Sequence, residues 1–274
     1  MEFLIYSFIF IFGLIIASFL NSIIYRLSIN QDFLFGRSYC PNCKHNLSWP
    51  DLIPLISFLV LKGKCRYCKK PISIQYILVE FVTAVLFVIL IRQNIGLIYD
   101  FTLLRFLNLC FMLYVACSMI VIFVYDLKHY IIPDKVIFPA IIVAFFYQLF
   151  NIWNSFGVWT LDFDILKLLL SPILAAIVSS LFFLSIVLGS RGKWMGMGDV
   201  KLAFLMGLFL GSPKILIALF LAFFIGAIIG VILIISGKKT FKSEVPFAPF
   251  LIMGTFLALF FEHEIINFYL SVYY

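Results

Sequence analysis

Long apolar runs separated by short polar segments make up most of the chain. Eight of these runs are candidate membrane helices, because a bilayer core needs roughly 20 apolar residues per helical span. The sixth run is short for a full span, so we expect it to start at the membrane surface or to lean on its neighbours. The pattern predicts an all-α polytopic membrane protein with about eight transmembrane helices. The predicted spans are residues 3–25, 73–92, 102–125, 136–153, 165–188, 200–212, 214–236 and 247–261.

Composition agrees with lipid as the main solvent of this chain. Of the 274 residues, 64% are hydrophobic and 12% are charged, whereas a soluble domain is about half apolar and a quarter charged. The first helix is apolar from its start and lacks a basic leading region. We therefore expect residues 1–27 to stay in the membrane rather than to be removed as a signal peptide.

The basic residues are distributed unevenly between the predicted loops. The polar interruption at 26–72 holds eight of the 20 Lys and Arg residues, and the loops at 126–135, 189–201 and 237–246 hold eight more. Cytoplasmic loops are enriched in Lys and Arg, so these four segments are predicted to be cytoplasmic and both termini to lie outside. The net charge of +7 then follows from loop placement, and with no long basic stripe we predict no nucleic-acid partner.

The polar interruption divides the chain into three parts. We predict a first transmembrane helix at 1–25, a cytoplasmic insertion at 26–72 and a membrane core at 73–274. The insertion contains Cys40-Pro-Asn-Cys43 and Cys65-Arg-Tyr-Cys68. Two such pairs predict a structural zinc site closed by four thiolates. A disulfide framework and an unmetallated loop are the alternatives, and a reducing cytoplasm disfavours the disulfides.

Two aspartates next to apolar helices are candidates for chemistry. Asp126 ends one apolar run and Asp199 opens another, and an ionisable group at the membrane is a functional candidate by default. Two neighbouring carboxylates share a proton unequally, so one can activate water while the other protonates a leaving group. Capping of a helix end, or pairing within a loop, is the alternative interpretation for each. Asp134 competes with Asp126, but we expect it to cap the next helix.

The residues around Asp199 suggest how a peptide would reach it. Gly196 and Gly198 have no side chains and would let an extended substrate come close to the carboxylate. Lys201 is a candidate for holding a substrate carboxylate, and its alternative role is that of a cytoplasmic membrane anchor. These three residues form the predicted substrate-approach region.

These motifs together resemble the bacterial type IV prepilin peptidases, which are aspartyl peptidases of the Gly-x-Gly-Asp type. The segment Gly196 to Leu202 resembles their Gly-x-Gly-Asp-x-Lys-Leu motif, and Asp126 to Asp134 resembles their first aspartate motif. Similar elements occur in the opening helix, in the cysteine insertion and at Pro246 to Leu251. The matches are in order and span residues 13–251. Departures from the family pattern are Ala17, Leu52 and Ala248.

The resemblance implies a function, a location and cofactors. It implies that Asp126 and Asp199 are catalytic and that the substrates are prepilins or pseudopilins, cleaved at the cytoplasmic face of the bacterial inner membrane. It also implies N-methylation of the new terminus with S-adenosylmethionine as donor. Glu80 is a candidate for pairing with that cation, and a buried polar contact is the alternative for this residue.

Two other classes of protein are alternatives to this interpretation. A non-catalytic zinc-knuckle membrane scaffold would tolerate replacement of both aspartates. A proton-coupled transporter would hold its carboxylates at mid-bilayer depth and carry internally repeated helices. The sequence places both aspartates at one membrane face and has no evident repeat.

Overall fold

The computed structural model describes residues 2–32, 36–94, 102–156, 163–240, 243 and 245–273. Within these ranges the chain is helical and the only β pairing consists of two isolated bridges, which confirms the predicted all-α class. The helices are α1 (Glu2–Ser28), α2 (Ile56–Val60), α3 (Gln75–Gln93), α4 (Leu103–His129), α5 (Asp134–Phe156), α6 (Phe163–Ser190), α7 (Met197–Leu210), α8 (Lys214–Ile235) and α9 (Ala248–Tyr273).

The chain forms two compact units, Met1–Val121 and Ile122–Tyr274, and α4 runs from the first into the second. In the first unit α1 packs against α3. Gly13 makes this approach close, because a Cβ at that position would lie 2.7 Å from the Cα of Ala84. Near the other end of the pair, Asn21 Nδ2 donates a 3.0 Å hydrogen bond to the carbonyl of Tyr76. Small residues and interhelical hydrogen bonds are the usual means of joining helices within lipid.

The insertion between α1 and α3 consists of short elements, as its prolines lead us to expect. It contains a 3-10 turn at Trp49–Leu52, the five-residue helix α2 and two antiparallel bridges. The bridges join Tyr39 to Asn46 and Lys64 to Pro71. The flanking helices end at Ser28 and begin at Gln75, so α1 extends slightly beyond its predicted end.

In the second unit the short helix α7 is packed by α5, α6, α8 and α9. Gly207 lets α7 touch the backbone of α6 at Ala176, and Gly254 lets α9 touch the backbone of α8 at Ala218. A side chain at either glycine would clash with the facing backbone. Helix α7 therefore lies in the interior of the unit, and its fully buried side chains include Leu202, Leu205, Met206 and Leu208.

Six helices among the described residues are long and apolar enough to cross a membrane. They correspond to six of the eight predicted spans, and they establish a multi-pass membrane protein. The other two are shorter: α7 has 14 residues, and the apolar part of α9 is Ala248–Glu262. Helix α9 continues to Tyr273 after a non-helical backbone conformation at Phe261. The count of eight spans stays a prediction.

Candidate active site and metal centre

The four predicted cysteine ligands converge on one point of the insertion. The Sγ atoms of Cys40, Cys43, Cys65 and Cys68 lie within 4.8 Å of one another, and the Cys40 and Cys68 sulfurs are 3.9 Å apart. With a zinc–sulfur bond of about 2.3 Å, tetrahedral geometry requires sulfurs roughly 3.8 Å apart. The cluster therefore fits a four-coordinate metal ion, and its first cysteine in each pair is buried.

The two cysteine pairs adopt the same backbone conformation. In each, the amide of the first cysteine bonds to a carbonyl five residues later, and its carbonyl accepts an amide four residues later. The residue after each pair, Lys44 or Lys69, has a positive φ of 58° or 60°. The bonds are Cys40 N to His45 O (3.0 Å), Lys44 N to Cys40 O (2.9 Å), Cys65 N to Lys70 O (2.9 Å) and Lys69 N to Cys65 O (3.0 Å). This repetition is what presents four sulfurs to one point.

Backbone amides also favour the thiolate form that a metal requires. Within this network of thiols, a backbone N–H lowers the pKa of Cys68, but burial and hydrogen bonds with the other three cysteines raise it to about 11. Burial by itself also raises the pKa of the Cys40 thiol, but the N–H groups of Cys43 and Asn42, together with hydrogen bonds from Cys65 and Cys43, lower it to about 7. A thiol with this pKa is substantially ionised at neutral pH. The insertion thus has both the geometry and the donor chemistry of a metal site.

Asp51 stabilises the second cysteine pair. This residue lies in a family-like element of the insertion, but the sequence indicated no role for it. Its carboxylate accepts hydrogen bonds from Arg66 Nε (2.7 Å), Ser48 Oγ (2.8 Å) and the Tyr67 hydroxyl (3.2 Å). Burial raises the pKa of Asp51, but the Ser48 and Arg66 hydrogen bonds outweigh it and hold the pKa below its usual value. Since Arg66 and Tyr67 lie between Cys65 and Cys68, Asp51 ties the 3-10 turn to the second cysteine pair.

Asp126 lies in the last turn of α4, where it is 5% exposed. The backbone N–H of Ala248, the first residue of α9, donates a hydrogen bond to its carboxylate. The N-terminus of a helix carries partial positive charge and suits a carboxylate. The sequence placed Ala248 within a family-like element but attached no role to it, because a backbone donor leaves no mark on residue type.

Asp199 lies in the first turn of α7, outside the six candidate spans. The N–H of Gly196, the N-cap residue, donates to the Asp199 carboxylate, so this side chain also forms half of a capping box. Burial, and then the charge of Asp126, raise the pKa of Asp199 to about 7. The two carboxylates are therefore close enough to influence each other, as the sequence interpretation requires.

The connection between α4 and α5 lies over the start of α7. Ile132 is buried, and a Cβ placed on Gly198 would lie 3.0 Å from the Ile132 Cβ. The space next to Gly198 is thus filled by Ile132. A Cβ on Gly196 would meet only the Gly198 nitrogen at 3.9 Å, so Gly196 has open space beside it. Of the two predicted substrate-approach glycines, Gly196 has this open space and Gly198 does not; that a peptide uses it stays a prediction.

Lys201 and Asp134 form an ion pair, which changes the interpretation of both residues. The Lys201 ammonium also lies over the ring of Phe138, 4.7 Å from its centroid. Asp134 is the first residue of α5 rather than the residue that precedes it, so the prediction that Asp134 serves as the N-cap is wrong. Its carboxylate binds Lys201 on another helix, and the ammonium predicted to meet a substrate has a protein partner.

Glu80, the candidate for the methyl-donor cation, is buried on α3. Its Oε2 accepts a 2.9 Å hydrogen bond from the N–H of Leu55, the N-cap residue of α2. This contact matches the alternative interpretation of a buried polar link. Two other buried oxygens in the first unit have no hydrogen-bond partner among the described residues, namely Asn21 Oδ1 and Gln75 Oε1.

Comparisons with known proteins place both halves of the chain. Residues 11–93 match the family described as Bacterial Peptidase A24 N-terminal domain, and residues 113–231 match the Type IV leader peptidase family. The chain is 30% identical to a prepilin leader peptidase/N-methyltransferase of Aeromonas hydrophila, covering 97% of this chain and 94% of that protein.

Other relatives carry the same name. A protein of Bacillus subtilis (strain 168) is 29% identical, with 97% of this chain and 98% of the relative aligned. A protein of Legionella pneumophila is 29% identical over 95% of this chain and 93% of the relative. No solved structure matches the chain. The resemblance predicted from the sequence is confirmed, and the chain belongs to the type IV leader peptidase family.

Proposed function

We propose that this protein removes the leader peptides of type IV prepilins or pseudopilins by hydrolysis at its two aspartates, Asp126 and Asp199. The observation that carries the proposal is the placement of these two carboxylates at the ends of α4 and α7, where Ile132 after α4 contacts Gly198 and the charge of Asp126 raises the pKa of Asp199. Both the family and the names of its curated relatives support the substrate class. A transporter with carboxylates at mid-membrane depth is not favoured, since both lie at helix ends.

The two carboxylates would divide the acid and base roles. Asp199, whose pKa of about 7 leaves about half of it protonated at neutral pH, is the acid, and Asp126 is the base. Asp126 takes a proton from water as the water oxygen attacks the scissile carbonyl carbon. Asp199 gives its proton to the nitrogen that leaves when the carbon–nitrogen bond breaks. A proton passed from Asp126 to Asp199 restores the starting state.

The site would face the cytoplasm. In the second unit the Asp126–Ala248 and Asp134–Lys201 bonds bring the loops before α5, α7 and α9 to the same end. These are the loops rich in Lys and Arg, and such loops stay on the cytoplasmic side of a bacterial inner membrane. A prepilin with a basic leader in the cytoplasm and an apolar stem in lipid would then present its scissile bond at this end.

The insertion and the first unit would support a second activity. Zinc held by Cys40, Cys43, Cys65 and Cys68 would stabilise the insertion, because such a small segment has little core of its own. The relatives' names include N-methyltransferase, and S-adenosylmethionine would supply the methyl group. Its ammonium and sulfonium suit acceptor oxygens, which the first unit offers at Asn21, Gln75 and Glu80.

The test is a mass spectrum of the N-terminus of a prepilin co-expressed with the protein. We expect the wild type and Glu264→Gln, which changes an exposed acid on α9, to release the leader. Asp126→Asn and Asp199→Asn should leave it attached while still inserting in the membrane.

Each alternative outcome has a distinct meaning. Loss of the leader without an added methyl group would support the peptidase activity and exclude the methyltransferase activity. A leader lost with either aspartate replaced would overturn the catalytic assignment. A leader retained by the wild type with every prepilin tried would favour the non-catalytic scaffold.

A further inference from the structure

Helix α2 of the insertion turns its apolar face outward. Ile56, Leu59 and Val60 are 58%, 71% and 71% exposed, and their spacing places them on one side of the helix. Phe58 lies on another side, where its ring reaches within 2.9 Å of a Cβ built on Gly63. A helix at the surface of a soluble domain has the opposite arrangement, with its apolar stripe toward the core.

The adjacent 3-10 turn carries further exposed apolar side chains. This turn packs against α2, and it exposes 77% of Trp49 and 39% of Leu52. We call Trp49, Leu52, Ile56, Leu59 and Val60 the α2 patch. A cluster of large apolar side chains exposed together marks a surface that binds a protein or a membrane.

A hydrogen bond fixes the depth of the patch relative to the membrane-spanning helix α3. Glu80, whose Oε2 accepts the N–H of Leu55 at the start of α2, is the sixth residue of α3. At about 1.5 Å per residue, Glu80 lies roughly 7.5 Å along the helix axis from Gln75. Headgroup regions are of about this thickness on each side of the bilayer core. Helix α2 is therefore held at the level where α3 enters the membrane.

The exposed surface of α3 at this level is also apolar. Ile74 is 67% exposed and Leu78 is 56% exposed, in or next to the first turn of a candidate membrane span. Lipid is the expected neighbour of these side chains. The α2 patch thus lies at the same level along α3 as a surface that faces the bilayer.

The charge of the insertion fits an anionic membrane surface. Residues 26–72 contain eight Lys and Arg residues but only two acids, Asp32 and Asp51, and Asp51 is engaged by Arg66. Lys62 and Lys64 follow α2 directly and are exposed. Lysines near an anionic leaflet are attracted to it, and tryptophan favours the headgroup region.

We propose that the α2 patch docks on the membrane, with Trp49 and the apolar face of α2 inserted among the headgroups of an anionic bilayer. Lys62 and Lys64 lie against the lipid phosphates. The insertion then rests on the bilayer instead of projecting into the cytoplasm, and the metal site is held next to the membrane surface. The inference does not depend on the aspartate pair.

The test is quenching of Trp49 fluorescence by lipid. Replacing Trp153, Trp159 and Trp194 by Phe in the full chain leaves Trp49 as the one tryptophan of the four. The protein is placed in phosphatidylcholine–phosphatidylglycerol vesicles with or without bromine on the acyl chains near the headgroup. We expect about a twofold or larger loss of Trp49 emission in the brominated vesicles. Acrylamide in the aqueous phase should quench it weakly.

A matched reporter and two variants separate lipid contact from other causes. A chain whose single tryptophan is Asn42→Trp, with Trp49→Phe, places the probe on the exposed first cysteine pair and should respond to acrylamide alone. Leu59→Asp with Val60→Asp should abolish quenching of Trp49 by brominated lipid. Lys62→Gln with Lys64→Gln should weaken it in phosphatidylglycerol vesicles and not in pure phosphatidylcholine. Bound zinc, measured on each variant, reports whether the insertion is still folded.

Three results would overturn the proposal. Trp49 quenched by acrylamide and unaffected by brominated lipid would place the patch in water. Shielding from acrylamide that appears only when a prepilin is added would make the patch a protein-binding surface. Equal quenching of Trp49 and of the Asn42→Trp reporter would show that the lipid probe does not discriminate position, and a specific docking face would be excluded.

Discussion

Lys201 lies two residues after Asp199 in the chain, and its ammonium is paired with the carboxylate of Asp134. On the other side of Asp199, Gly198 lies under Ile132, which belongs to the loop that ends at Asp134, the first residue of α5. Asp199 is thus flanked by two contacts between the start of α7 and the loop that leads from Asp126 to α5. These contacts hold the two carboxylates in one arrangement.

Breaking the ion pair should reduce the rate of cleavage far more than it reduces stability. The side chain of Asp134 is 61% exposed, so the ion pair adds at most about 1 kcal/mol to the free energy of unfolding. A small displacement of a reacting group costs much more, and we expect Asp134→Asn or Lys201→Met to lower kcat roughly tenfold or more with KM little changed. The measurements are steady-state cleavage of a prepilin and thermal unfolding in nanodiscs.

A charge swap is the decisive comparison for this pair. Asp134→Lys combined with Lys201→Asp restores the attraction and should recover most of the lost kcat. Lys135→Met removes a neighbouring exposed charge and should have the kcat of the wild type. If the swapped protein is no faster than the single variants, the ion pair does not position Asp199.

The two glycines before Asp199 should respond differently to alanine. Gly198→Ala forces its new methyl group against Ile132, and overpacking of this kind costs about 1–3 kcal/mol of unfolding free energy. Gly196→Ala has room and an ordinary φ of −87°, so it should unfold at the wild-type temperature. Any loss of cleavage by Gly196→Ala would then appear as a higher KM, from crowding of the peptide. Equal unfolding temperatures for both variants would show that Ile132 can move aside with no loss of unfolding free energy.

The pH dependence follows from the raised pKa of Asp199. The pKa of an aspartate in the unfolded chain is about 3.9, whereas burial and the charge of Asp126 raise the pKa of folded Asp199 to about 7. Between these values the folded state binds more protons, so wild-type stability should fall as pH rises through this window. Asp199→Asn removes the titration, and its unfolding temperature should decline less between about pH 5 and about pH 8.

Cleavage should follow the same titration. The wild-type rate should decline as pH rises past about 7, because the proton that Asp199 donates is then lost. The measurement is a pH profile of kcat for a prepilin substrate. A rate that stays constant well above neutral pH would assign the acid role to another group.

The cysteine cluster predicts a selective loss of metal. Cys43 and Cys110 are both exposed, but only Cys43 belongs to the four-sulfur cluster. Cys43→Ser should lose zinc, measured by atomic emission on the purified protein, and should expose the insertion to proteolysis. Cys110→Ser should retain the zinc content of the wild type. Equal zinc content in both variants would show that the four-cysteine cluster is not the zinc site.

Much of the fold could be predicted from local patterns. The apolar runs predicted six helices that are long enough to span a membrane, because a lipid environment makes length and hydropathy decisive. The run of α7 was expected to be short for a full span, and the structure gives it 14 residues in the interior of the second unit. The apolar part of α9 is shorter than its neighbours, and whether these two helices cross the membrane stays a prediction. The spacing of Cys40, Cys43, Cys65 and Cys68 predicted a cluster that the structure contains.

The neighbours of the predicted catalytic residues could be predicted less well from the sequence. Lys201 and Gly198 were predicted to meet a substrate, and the structure gives them Asp134 and Ile132 as neighbours. Glu80 was considered for a cofactor and is bonded to the amide of Leu55. In each case the partner comes from a separate helix or loop, and periodicity along one segment contains no information about it.

The sequence by itself determined what depends on neighbouring residues: helices from apolar length, two metal-binding turns from cysteine spacing, and a family from ordered motifs. Tertiary structure alone decided which groups meet, including the Ala248 amide on Asp126 and the outward apolar face of α2. The reason is that such contacts depend on how separate helices pack, and that packing is set by shape and hydrogen bonding across the whole unit.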